Sequence, residues 1–167
     1  MRKLLCLAVP VITAGAAHAG GIELTVEIPK LSVAEYHRPY VAIWIEDASG
    51  KVAANLSVWY DVDLKDSEGE KWLKDIRQWW RRTGRSLEMP LDGVSSPTKA
   101  PGANKVTFPS DKGALATLAP GDYKLIVEAT REVGGKEMVE VPFKWAPGAE
   151  ATTSAKGKEE LGVITLK

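Results

Sequence analysis

The chain has 167 residues, with 22 Lys and Arg against 22 Asp and Glu, one Cys, two His and six Trp. A single thiol excludes a disulfide scaffold, Cys and His are too few for a structural zinc site, and zero net charge offers no footprint for nucleic acid. A hydrophobic content of 44% supports a packed core, and the length points to one domain.

In chain order, Met1-Arg2-Lys3 begins a short basic start, Leu4 to Gly15 is nearly all apolar, and Ala17-His18-Ala19 has the small-x-small pattern of a signal-peptidase site. Residues 1–19 are therefore expected to be a cleaved export signal, with cleavage after Ala19, followed by one exported domain over 20–167. The apolar run, about a dozen residues, is too short to cross a hydrocarbon core of roughly 30 Å. Cleavage removes Cys6 and leaves His37 as the one His. With so few nucleophiles and bases, no catalytic constellation and no metal site is expected, and the protein reads as non-enzymatic.

Ile22 to Ile28 alternates apolar and polar residues and is a predicted half-buried strand. Tyr40 to Glu46 and Val52 to Tyr60 read as a hairpin, with Gly50 supplying the positive φ of its turn. Ser67-Glu68-Gly69-Glu70 fits a capping box opening a helix over about 70–83. On it Trp72, Leu73, Ile76, Trp79 and Trp80 share one face, and Gly84 follows as the C′ residue. Residues 85–103, with several Pro and Gly, read as loop, and a short strand follows near Lys105 to Phe108. Tyr123 to Arg131 and Lys136 to Trp145 form a second predicted hairpin joined at Gly134-Gly135. A loose stretch from Ala146 to Lys158 precedes a last strand at Leu161 to Leu166. Many short strands, one helix and no βαβ rhythm predict an all-β antiparallel sandwich with an inserted amphipathic α-helix.

Three segments carry a family resemblance: Tyr36-His37-Arg38-Pro39-Tyr40-Val41-Ala42-Ile43-Trp44-Ile45-Glu46-Asp47; Lys71-Trp72-Leu73 with Trp79; and Pro120-Gly121-Asp122-Tyr123 leading to Glu128-Ala129-Thr130-Arg131-Glu132 and Gly134-Gly135. The chain resembles the predicted periplasmic proteins grouped as domain of unknown function twenty-two seventy-one. The resemblance implies an immunoglobulin-like sandwich. It also implies partners in a redox or iron-uptake setting: membrane proteins resembling ferric reductases, and flavin transferases that attach FMN to secreted proteins. Val133 stands where the family resemblance leads one to expect His.

That setting makes Asp92, Ser95 and Thr98 a candidate FMN attachment segment, since a flavin-transferase motif resembles Asp-x-x-(Ser/Thr)-Gly-Ala-(Ser/Thr), the last hydroxyl forming the phosphoester. Here Ser96-Pro97 replaces Gly-Ala, and the same residues are also ordinary loop material. Trp72, Trp79 and Trp80 can form a stacking platform or docking face, or simply cover one face of the sandwich. Trp44 and Trp59 are expected in the core on facing strands, with Trp145 a third core position. His37 and Arg38 can contact a ligand, or His37 can be a loop residue with a local hydrogen bond. Arg131, beside Glu132, can form an anion site or an exposed cross-strand ion pair. Glu46-Asp47 and Glu159-Glu160 are sequence neighbours, which on a strand point to opposite faces and so do not make an acid/base pair.

Overall fold

Alternating side chains bury one face of a strand, and in this chain that face is shared between two sheets. The computed structural model describes residues 20–146, 148 and 152–167. The expected signal segment 1–19 lies outside these. Among the described residues there are nine strands: β1 (Gly21–Ile28), β2 (Tyr40–Asp47), β3 (Val52–Tyr60), β4 (Ser95–Pro97), β5 (Gly102–Pro109), β6 (Gly121–Thr130), β7 (Lys136–Trp145), β8 (Thr153–Lys156) and β9 (Val163–Leu166). They form a four-stranded sheet, β5-β1-β9-β8, and a five-stranded sheet, β4-β3-β2-β6-β7. Every pairing is antiparallel except β3 with β4, which is parallel.

The core between the sheets takes Ile22, Leu24, Val26 and Ile28 from β1 and Val41, Ile43 and Ile45 from β2. The other face of β2 is buried too, because Tyr40, Ala42 and Trp44 lie under a helical excursion between β3 and β4. A central strand covered on both sides explains the dense apolar run from Tyr40 to Ile45. Trp44 and Trp59 are both fully buried, but on opposite faces of one sheet rather than on facing strands. Trp59 and Trp145 belong to the inter-sheet core, and each buried indole N–H has an acceptor: Glu46 for Trp44 (2.7 Å), Ser57 Oγ for Trp59 (2.9 Å) and Leu118 O for Trp145 (3.0 Å).

The expected single helix over 70–83 is divided. A 3₁₀ segment, Lys65–Asp75, is followed by a break at Ile76 (φ −77°, ψ 76°) and then by α1 (Arg77–Arg82). The capping box does not form: Ser67 has φ 54°, and the helix start has no side-chain cap. The buried stripe Leu73, Ile76 and Trp79 runs through the break from the 3₁₀ segment into α1, and its three-residue spacing fits either turn, so the packing of Tyr40, Ala42 and Trp44 beneath it decides where the chain divides. Glu128 on β6 holds the start of α1, accepting the Gln78 N–H (3.0 Å) and the Trp79 N–H (2.9 Å). Gly84 serves packing, since a Cβ there would lie 2.5 Å from the Trp79 ring. Gly50 does have the positive φ expected of its turn, at 81°.

Candidate functional site

Register alone brings one set of chain ends together. Tyr40 at the start of β2 pairs with Thr130 at the end of β6, which pairs with Lys136 at the start of β7. Tyr60 at the end of β3 lies beside Pro97 of β4, so Asp61 and Thr98 arrive at the same edge. The 3₁₀ segment adds Trp72 and Asp75, and the chain entering β2 adds Tyr36, His37 and Arg38. These residues enclose a pocket of about 600 Å³, within the size range of small-molecule sites.

Its floor is built around Arg131. The guanidinium forks onto Glu160 in the β8–β9 connection, Nε to Oε2 at 2.9 Å and Nη2 to Oε1 at 3.0 Å. Both side chains are buried, 6% and 4% exposed, so the pair is not the surface cross-strand bridge considered above. Hydrogen bonding to Glu160 holds the Arg131 pKa above its ordinary value, against the opposing effect of burial. Gly135 N–H also donates to Glu160 Oε1 (2.8 Å). The two glycines of this turn make room for the pair: a Cβ on Gly134 would lie 2.4 Å from Arg131 Cζ, and one on Gly135 would lie 2.7 Å from Glu160 Oε1. The positive φ of the turn falls instead on Val133, at 52°.

Tyr36 faces the guanidinium, with its ring centroid 6.0 Å from Arg131 Cζ. Burial raises the Tyr36 phenol pKa, and Arg131 opposes the shift. Among the described residues, the Tyr36 hydroxyl and Arg131 Nη1 are buried without a hydrogen-bond partner. Elsewhere in the lining, Asp61 accepts from Tyr40 Oη (3.4 Å) and from Thr98 Oγ1 (3.3 Å). Burial pushes the Tyr40 phenol up to about 12, so it stays a protonated donor at neutral pH. His37 sits at the rim between two carboxylates, Nε2 2.9 Å from Glu35 and Nδ1 3.5 Å from Glu132. No three His, Cys, Asp or Glu among the described residues are grouped to hold a metal ion.

The pocket thus unites His37, Arg38, Trp72, Thr98 and Arg131 from the sequence-level candidates. It leaves out the others. Trp79 is wholly buried against the sheet, where its Nε1 donates to Asn55 Oδ1 (2.9 Å), and Trp80 is half-buried against it. The three tryptophans therefore do not form one face, since Trp72 is 50% exposed. Asp92 and Ser95 border a separate groove near Val106 and Leu115, and Ser95 Oγ accepts the Leu91 N–H (2.9 Å). Sequence reasoning missed Asp61, Asp75, Lys136 and Glu160 as members of this end. The Gly134-Gly135 pair was a signal for close packing around Arg131, though it reads more readily as a turn.

Fold and site together define a two-sheet β-sandwich with a polar and aromatic pocket at one end of its larger sheet. The chain belongs to the family of predicted periplasmic proteins, DUF2271, whose model matches residues 21–163. No curated protein and no solved structure gives a significant match. No helix among the described residues is long and apolar enough to cross a membrane.

Proposed function

We propose that this periplasmic protein is a non-enzymatic accessory of a redox or iron-uptake system, and that it works by binding a ligand or partner segment in the pocket beside Arg131. The observation that carries this reading is convergence: residues from the β2 approach, the end of β3, the 3₁₀ segment, the residue after β4 and the β6–β7 turn surround one cavity. The groups there suit recognition better than proton transfer. Arg131 is engaged by Glu160, Tyr40 is held protonated, and His37 lies between two carboxylates. The redox or iron-uptake setting, with a ferric-reductase-like membrane protein or a flavin transferase as partner, rests on the family resemblance. Native mass spectrometry of protein from the native periplasm tests the binding role. A retained small molecule or partner that is lost in Trp72→Ala supports it, and capture unaffected by Trp72→Ala and Arg38→Ala argues against the pocket.

A second reading is favoured by one observation: Thr98, the hydroxyl at the phosphoester position of the motif, lines the same pocket as Trp72. In this reading Thr98 carries FMN, the cofactor supplies electron-transfer chemistry, and the pocket wall holds its ring. Ser96 and Pro97 pair with Trp59 and Tyr60, so β4 must separate from β3 for the segment to enter a transferase. Co-expression with a flavin transferase should give a yellow protein heavier by one FMN, and Thr98→Ala should abolish the adduct. An unmodified wild-type chain under those conditions rejects this reading.

A further inference from the structure

We propose that the pocket is specific for a ligand bearing an oxyanion, carboxylate or phosphate, which is received on Arg131 Nη1 and the Tyr36 hydroxyl. This deepens the binding role proposed above and rests on it. Two of the three guanidinium nitrogens of Arg131 are used by Glu160, while Nη1 is buried and has no acceptor among the described residues. A buried donor without an acceptor carries its desolvation cost uncompensated, and the cost is greatest for a charged group. The Tyr36 hydroxyl is in the same condition, and its ring lies against the same guanidinium. Two unsatisfied donors on residues packed against each other fit one acceptor with several lone pairs, which describes an oxyanion.

Arg131 also borders a cleft beside residues 156–163, so the side from which the anion arrives must be decided. Tyr36 decides it, because Tyr36 lines the pocket and not that cleft. Arg38 and Lys136 stand exposed around the same opening, and the carboxylates Asp61, Asp75 and Glu132 line it too, so selection for an anion rests on contact with Arg131 and Tyr36 and with the nearby Arg38 rather than on a net positive field. Trp72, half-exposed in the same lining, offers apolar surface to the rest of the molecule. The favoured ligand is therefore an anion attached to a flat or apolar body, with the anionic group innermost.

Three small probes separate the possibilities: benzoate, phenyl phosphate, and benzamide as the neutral analogue of benzoate. Titrations are followed by amide NMR at Gly134 and Gly135, which pack against Arg131 and Glu160. Benzoate or phenyl phosphate should shift both amides saturably, and the stronger of the two identifies the anion class. Benzamide should bind at least tenfold more weakly. Tyr36→Phe keeps the ring on the guanidinium and removes one donor, so anion binding should weaken about tenfold, the typical value of a hydrogen bond to a charged group. Should Tyr36→Phe lower the melting temperature, Arg38→Gln at the exposed rim replaces it and should weaken binding several-fold, more at low salt than at high. Benzamide binding as tightly as benzoate, or anion binding indifferent to both substitutions, overturns the anion assignment while leaving the pocket as a binding site. If no probe shifts any amide of the pocket, the anion assignment and the binding role fall together.

Discussion

Two buried polar networks in this molecule are built from the same kinds of residue and end differently. On the outer face of the larger sheet, Trp79 donates to Asn55, Asn55 donates to Thr83, Glu128 receives the first free N–H groups of α1, and Glu46 receives both Trp44 and Arg82. Each of these donors has an acceptor, including the exposed Arg82. At the pocket, Arg131 and Glu160 are matched, yet Arg131 Nη1 and the Tyr36 hydroxyl are left over. A closed network contributes stability and specifies one packing, whereas an open one retains capacity for a partner from outside. The contrast separates Trp79 from Arg131 more sharply than residue type does.

Breaking the closed network should cost most. Trp79→Ala removes a wholly buried indole, opens a cavity over β2 and β3, and strands Asn55 Oδ1. A loss of about 4 kcal/mol in chemical denaturation is expected, typical of a buried Trp truncation. Ligand capture at the pocket by the folded fraction should be unchanged.

Glu160→Gln comes next. It leaves Arg131 charged and buried with a neutral partner, and breaking one side of such a pair costs about 3 kcal/mol. The same substitution should alter binding, because it changes the field around the unpaired Nη1. A variant that loses neither stability nor binding would remove the distinction between the two networks.

A smaller effect is expected from acid. Burial opposes ionisation of Glu137, but its carboxylate accepts the backbone N–H groups of Lys158, Glu159, Glu160 and Leu161, which hold its pKa below the ordinary value of 4.5. Because the folded-state value is depressed, this contribution is fully present above about pH 4.5 and is lost as pH falls through the folded-state value. These bonds fix the loop that carries Glu160, so acid below about pH 4.5 should loosen the pocket floor before the inter-sheet core. Hydrogen exchange at Glu160 and Leu161 measured against pH checks this, and Glu137→Gln should flatten the dependence.

Much of this architecture was legible in the sequence because two-residue alternation reports a buried strand face directly, as in β1, and turn signals such as Gly50 and Gly134-Gly135 mark the hairpins. β4 was hidden by its three-residue length and by Pro97, and β8 by a stretch of Ala, Thr, Gly and Lys with no apolar rhythm. The helical excursion was misread because an i, i+3 stripe fits both a three-residue and a 3.6-residue turn, and only the sheet beneath selects between them. At the site, His37, Arg38 and Arg131 stood out by type and Trp72 by size. Glu160 did not, since it is 29 residues from Arg131 and the β8–β9 connection carries it back. Convergence of Thr98 on Trp72 likewise depends on the parallel β3–β4 pairing, which local periodicity does not encode.

The smallest stability effect belongs to Trp72, and it gives the strictest test of the contrast. Half of this side chain faces solvent, it donates no hydrogen bond within the described residues, and its one aromatic-face contact is Lys74 Nζ at 5.9 Å from the ring. Exposed truncations of this kind usually change stability by less than about 0.5 kcal/mol, roughly an eighth of the loss expected at Trp79. A large indole kept in water at the edge of a pocket has little to contribute to folding, so its contribution should be to whatever the pocket holds. Trp72→Ala should therefore leave the melting temperature nearly unchanged while weakening benzoate or phenyl phosphate binding several-fold. Equal binding by Trp72→Ala would confine recognition to the Arg131 and Tyr36 floor, and a large stability loss would place Trp72 with Trp79 in the structural layer after all.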